Sequence, residues 1–339
     1  MSVQQIGGVT RIEYRGRADQ VRLATFMPRF PKSIPFQRSG DDLWQLDLDL
    51  PSDARIEYLI EVELNGHRHE LRDPDNPDTA PNPFGVNTVA TGPGYHSPPW
   101  RLAGLPVGSL TEIRVASLAY GGRRHHHLYT PPGYTADSAL PLLVAHDGSD
   151  YLRYAGLGHC LEWMATTGRI APRRILLLEP RARHDEYIGS HRQTAHVVEE
   201  VVPHVRRRVN VRGPVGLMGA SLGAVAAWQV ADEAPDAFYG LFLQSGTFAF
   251  DPHHELTPAM QQSIASFVER AENRRLPMKV AVTCGRYESL IDWNRRVAGS
   301  LSAAGTTVAL EESWAGHDWG AWADRLVFGL SFLYGHAQP

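Results

Sequence analysis

One segment constrains this chain more than any other: Val215-Gly216-Leu217-Met218-Gly219-Ala220-Ser221-Leu222-Gly223-Ala224-Val225-Ala226-Ala227-Trp228. An apolar run, a Gly-x-Ser-x-Gly turn and an Ala-rich helical stretch follow one another without a spacer. A strand that passes straight into a helix leaves little room at the turn, so small residues must flank the serine. The serine is forced into a strained backbone conformation, its hydroxyl beside the free N–H groups that open the helix. That is the setting in which a serine hydroxyl becomes a nucleophile.

The same alternation runs along the chain from about residue 110. Leu142–Ala145, Ile175–Leu178, Val215–Met218, Leu241–Gln244 and Val280–Thr283 read as buried strands, with helical patterns over Thr194–Arg208 and Leu222–Glu233 between them. Such alternation predicts an α/β fold with a mostly parallel sheet covered on both faces. Ligands then gather at the carboxyl ends of the strands. The first hundred residues differ. Val21–Phe26, Leu43–Leu48 and Ile56–Val62 alternate apolar and polar residues, and Asn65-Gly66 before His67–Leu71 is a hairpin signal. A small all-β sandwich over residues 1–105 is expected, followed by the catalytic α/β domain over 106–339. Its exit, from Asp73 to Trp100, is rich in Pro, Asn and Gly and reads as an extended linker.

Composition removes several function classes. A net charge of -4 with scattered Arg and Lys gives no electrostatic footprint for nucleic acid. No apolar run approaches the roughly twenty residues that span a membrane. The opening MSVQQIGGVTRIEYRGRADQ has no apolar core of the secretion-signal kind, so a cytoplasmic location is expected. Two isolated cysteines, Cys160 and Cys284, make neither a disulfide framework nor a zinc site. The 16 histidines include no HExxH pattern, and His125-His126-His127 alternates in and out of a strand; no metal and no cofactor are expected.

A serine nucleophile needs a base and an orienting acid, which in this type of core follow in the order serine, acid, histidine. His317 lies after the last apparent strand, Thr307–Leu310, and before a C-terminal helix; His336 sits near the terminus and reads as solvated. The loop after Val280–Thr283 offers two acids, Glu288 and Asp292. Glu288 is preferred because it comes at the start of the loop, before the helical pattern containing Asn294. Two N–H donors must meet the developing oxyanion. The amide of Leu222 is one candidate, and that of Ser149, in the turn His146-Asp147-Gly148-Ser149, is the other. Asp147 reads as a brace for that turn.

These residues carry a resemblance. Leu128-Tyr129-Thr130-Pro131-Pro132-Gly133-Tyr134, Asp147-Gly148, Arg183–Glu186, Glu199–Pro203, Gly219–Gly223, Gln244-Ser245-Gly246, Glu288 with Asn294, and Gly316-His317-Asp318 with Trp322 occur in family order. Over about residues 110–335 the chain resembles the enterochelin-esterase-like group of α/β-hydrolases, related to esterase D and antigen 85 enzymes. The β-rich start and its exit Asp73-Pro74-Asp75-Asn76-Pro77 resemble the siderophore-esterase branch. Ala224 and Ala315 stand where the family often has glycine. The resemblance implies hydrolysis of carboxylic esters through an acyl-enzyme, with a small-molecule ester, such as the lactone of a ferric siderophore, as substrate. Such a substrate is anionic, and Arg181, Arg183 and Arg192 are the candidate cations to meet it. Acyl transfer of the antigen 85 type and a silent binding role are the alternatives.

Overall fold

The computed structural model describes residues 3–249 and 256–335; His336 lies outside the described residues. The chain divides into two compact units. The first is Met1–Ser97 together with two short later segments, Gly285–Ser289 and Glu312–Ala321. The second is Pro98–Cys284, Leu290–Glu311 and Trp322–Pro339. No helix among the described residues is long and apolar enough to cross a membrane.

The first unit holds β1 (Val3–Ile6), β2 (Val9–Arg15), β3 (Gln20–Ala24), β4 (Ser33–Pro35), β5 (Gln37–Arg38), β6 (Leu43–Leu48), β7 (Arg55–Leu64), β8 (His67–Leu71), β9 (Thr79–Asn82) and β10 (Gly85–Thr91). They form two antiparallel sheets, in the orders β1-β2-β6-β5 and β4-β3-β7-β10-β9, with β8 paired to β7. Ile12, Leu46 and Leu48 from one sheet meet Leu23, Ile56, Tyr58 and Ile60 from the other in a single core. This is the expected sandwich. Asn65 and Gly66 both take positive φ, 51° and 76°, as the tight turn joining β7 and β8 requires. The exit is more ordered than the Pro/Asn/Gly content suggests. Asp73–Trp100, expected as a plain linker, contributes β9 and β10, because Val86, Thr88 and Ala90 continue the strand alternation after a turn in which Asn82 Oδ1 accepts the Phe84 N–H at 2.8 Å.

The second unit is built on β11 (Ser109–Ala116), β12 (Arg123–Thr130), β13 (Leu140–His146), β14 (Arg174–Leu178), β15 (Val211–Ala220), β16 (Phe238–Gln244), β17 (Lys279–Gly285) and β18 (Thr307–Ser313). The sheet order is β11-β12-β14-β13-β15-β16-β17-β18. β11 and β12 join antiparallel, and the strands from β14 through β17 pair in parallel. The expected helix Leu222–Glu233 is present with those bounds. The one expected over Thr194–Arg208 runs from His191 to Arg206 as His191–Ala195, a wide π-turn His196–Val201 and Val202–Arg206, with helical backbone at both joins. The wide turn accommodates Pro203, which has no N–H to give the helix and whose ring crowds the preceding turn.

Trp228, on helix Leu222–Glu233, is fully buried and packs edge-on against Phe248 and Phe267, with ring centroids 5.3 Å and 5.0 Å away. Trp228→Ala should therefore cost about 3–5 kcal/mol of stability in denaturant titration. A loss below about 1 kcal/mol, as at an exposed site, would contradict this packing.

Candidate active site

The Gly-x-Ser-x-Gly turn belongs to the second unit. Register sets Ala220 opposite Gln244 and Gln244 opposite Thr283, so the carboxyl ends of β15, β16 and β17 are level. Ser221 comes next, with φ 57° and ψ −124°. A non-glycine residue pays roughly 1–3 kcal/mol for such a conformation, so the surroundings must impose it. They do. The Ser221 N–H donates to Gln244 O at 2.9 Å, and the Thr247 N–H donates to Ser221 O at 3.3 Å. Both motif glycines are required by space: a Cβ at Gly219 would lie 2.1 Å from Gly223 O, and one at Gly223 would lie 2.9 Å from Asp147 Oδ2. The Ser221 hydroxyl is buried and lies 3.1 Å from Thr247 Oγ1.

The loop after β16 is braced in turn. Asn294 brackets Gly246, accepting its N–H at 2.9 Å and donating to its carbonyl at 3.0 Å. Trp322 Nε1 donates to Ser245 Oγ at 2.9 Å. Gln244, Asn294 and Trp322 are family-pattern residues in the sequence, and here each one fixes the backbone that holds Ser221.

In the turn after β13, Asp147 has φ 53°. Its carboxylate takes a two-pronged bond from Arg183 (Nε 2.9 Å, Nη2 2.8 Å), and its N–H donates to the Tyr187 hydroxyl at 3.1 Å. Arg183 thus braces this turn, while Arg181 and Arg192 are exposed. The Ser149 N–H is not vacant: it donates to Glu179 Oε1 at 3.1 Å, and the Ser149 hydroxyl donates to the same oxygen at 2.5 Å. Burial raises the Glu179 carboxyl above its ordinary pKa. Glu179 was not foreseen from sequence; its one signal is an acid set directly after the apolar run of β14.

Glu288 and His317 lie in the first unit. Glu288 is 1% exposed. Its Oε2 is 2.6 Å from His317 Nδ1, and its Oε1 accepts the Gly285 N–H at 2.7 Å. Asp292, the other candidate acid, is 60% exposed and pairs with Arg295 at 3.1 Å. The two loops are tied together, Arg286 N–H to Ser313 O at 2.7 Å and Tyr287 N–H to Ala315 O at 3.1 Å. They are also tied to the sandwich. The Tyr287 ring packs on Phe30 and Trp314, the Arg29 N–H donates to Tyr287 O at 3.0 Å, and the Arg55 N–H donates to Trp314 O at 2.9 Å.

Beside the histidine stands a buried cluster. Arg55 Nη1 donates to Asp318 Oδ1 at 2.8 Å and to Glu57 Oε1 at 3.1 Å, while Nη2 also reaches Glu57 Oε1 at 3.1 Å. Burial, then the nearby Glu57 charge, raises the Asp318 carboxyl to about 7. The folded protein therefore holds this proton more tightly than the unfolded chain does. The associated stability is present at low pH and is lost as pH rises from about 4, the unfolded carboxyl value, toward about 7. Relative to Asp318→Asn, the wild type should lose denaturation midpoint between those limits; parallel pH curves would contradict it.

The sequence matches the family described as "Putative esterase" over residues 117–333. No curated protein matches the chain in sequence. Among solved structures, the chain is similar to the enterobactin esterase FES from Shigella flexneri in the presence of enterobactin, with TM-score 0.79 and 17% identity over 98% of this chain and 95% of that one. The ferric enterobactin esterase from Salmonella typhimurium gives TM-score 0.79 and 17% identity over the same shares. An IroE-like serine hydrolase from Shewanella oneidensis gives TM-score 0.54 and 15% identity, covering 67% of this chain and 80% of that one. The enterobactin esterases share the fold from end to end, sandwich included. The family match covers more than half of the chain, which therefore belongs to this esterase family.

Proposed function

We propose that the chain is a serine esterase that hydrolyses carboxylic esters through an acyl-enzyme on Ser221. One observation carries the reading: a buried glutamate, Glu288, holds His317 Nδ1 at 2.6 Å, in a chain whose serine sits at a strained strand-to-helix turn. With Nδ1–H given to Glu288, the other ring nitrogen of His317 is the proton acceptor.

In the first half-reaction His317 Nε2 takes the Ser221 Oγ proton as Oγ attacks the ester carbonyl. The C–O bond to the leaving alcohol then breaks, and His317 returns the proton to that alcohol. Water repeats the sequence on the acyl-enzyme, releasing the acid and restoring Ser221. The Leu222 amide, next after the nucleophile, serves as one oxyanion donor. Ser149 serves as the second once Glu179 yields its N–H.

For substrate we favour an anionic ester such as a ferric siderophore lactone. The support is twofold: full-length structural neighbours described as enterobactin esterases, one in the presence of enterobactin, and the exposed cations Arg181 and Arg192. The ferric ion in such a case is cargo of the substrate. Arg183 is committed to Asp147 and acts there as a brace.

Ser221→Ala should keep the fold and lower turnover on 4-nitrophenyl esters by about a million-fold. Near-normal turnover would end the mechanism. Glu288→Gln should lose about a hundred- to ten-thousandfold, and Asp292→Asn almost nothing; the reverse order of losses would reassign the acid. Glu179→Gln removes a charge that competes with the oxyanion for the Ser149 N–H. Turnover of a small neutral ester should rise severalfold, and a fall would place the second donor elsewhere.

A further inference from the structure

We propose that Arg55, a side chain of the N-terminal sandwich, is a positioning residue for His317 that acts through Asp318. The inference rests on the reading of His317 as the base, and adds a residue to it that no local sequence pattern reveals.

His317 sits where the chain has least support of its own. β18 ends at Ser313, and the next helix begins at Trp319. The residues between them make no regular structure, so the direction of the imidazole depends on outside tethers. Arg55 supplies one on each side. Its backbone N–H holds Trp314 O at 2.9 Å, and its guanidinium holds Asp318 Oδ1 at 2.8 Å. One residue of β7 thus clamps the loop three positions before the histidine and one position after it. Asp318 Oδ1 also accepts the Ala321 N–H at 2.8 Å, which ties the clamp to the start of the following helix.

The clamp itself is anchored. Glu57 takes both Nη atoms of Arg55, and Asn87 Nδ2 holds the far oxygen of Glu57 at 3.0 Å. Arg55 is 5% exposed and Glu57 7%. Gly320 is part of the fit, since a Cβ there would lie 2.2 Å from the guanidinium carbon. A buried ion cluster of this kind adds little net stability compared with apolar packing. Geometry is what it can fix. A base displaced by about 1 Å loses on the order of a hundredfold in rate. The same logic separates two acids. Glu288 bonds the ring and sets its tautomer, whereas Asp318, adjacent in sequence to the histidine, bonds Arg55 and sets the path of the loop.

The test uses the full-length enzyme. Arg55→Met and Arg55→Lys are compared with wild type for kcat and KM, with circular dichroism and thermal melting as fold checks. For folded Arg55→Met, kcat should fall at least tenfold with KM nearly unchanged. Arg55→Lys, which keeps the charge without the fork, should recover part of kcat. If Arg55→Met does not fold, Asp318→Asn makes the measurement: it keeps an oxygen for Arg55 and Ala321, and should lower kcat severalfold with KM nearly unchanged. A folded Arg55→Met enzyme with wild-type kcat overturns the proposal. So does activity that only tracks the folded fraction with no rescue by lysine, or an Asp318→Asn enzyme with wild-type kcat. A wild-type enzyme indifferent to Ser221→Ala or His317→Ala would instead remove the underlying reading, a result distinguishable from all of these.

Discussion

The proposed chemistry depends above all on one contact, the 2.6 Å approach of Glu288 to His317 Nδ1; an acid at that nitrogen fixes the tautomer and direction of the ring. Glu288 is buried and its second oxygen is taken by Gly285 N–H, so the carboxylate has one position to offer. The loops bearing Glu288 and His317 are fastened to the sandwich through Tyr287, Trp314 and Arg55. By contacts, the segments Gly285–Ser289 and Glu312–Ala321 belong to the same unit as the sandwich.

The second constraint is the strained turn at Ser221. A residue with φ 57° persists there because hydrogen bonds on both sides and two Cβ-free neighbours leave it no alternative. That strain explains a pattern of remote polar residues. Asn294 and Trp322 lie far along the chain, yet each bonds the loop Ser245–Gly246 that abuts the Ser221 turn. Buried polar side chains usually mark a backbone that must not move, and these do.

Much of the fold was legible in the sequence because its signals are local. Strand–turn–helix around Ser221, hairpin residues at Asn65-Gly66 and the bounds of Leu222–Glu233 all follow from neighbours in the chain. The preference for Glu288 over Asp292 also had a local basis, and the structure sets Glu288 on the imidazole while Asp292 faces solvent. What escaped depends on distance. Arg55 and Asp318 are 263 positions apart, and nothing near either one announces the other. The bond between Glu179 and Ser149 joins two strand ends whose adjacency only the sheet order reveals. The charge of Arg183 is visible in the sequence, whereas its partner Asp147, 36 positions earlier, is not. The wide turn His196–Val201 ahead of Pro203 has no signal in the apolar period, which runs through the proline as if the helix were regular.

The measurement closest to the centre of this mechanism is labelling of the full-length enzyme with a fluorophosphonate, followed by mass-spectrometric mapping of the adduct. A single adduct on Ser221 is expected. Its rate of formation should collapse in His317→Ala. An adduct on another residue, or a labelling rate indifferent to His317, would contradict the assignment of nucleophile and base.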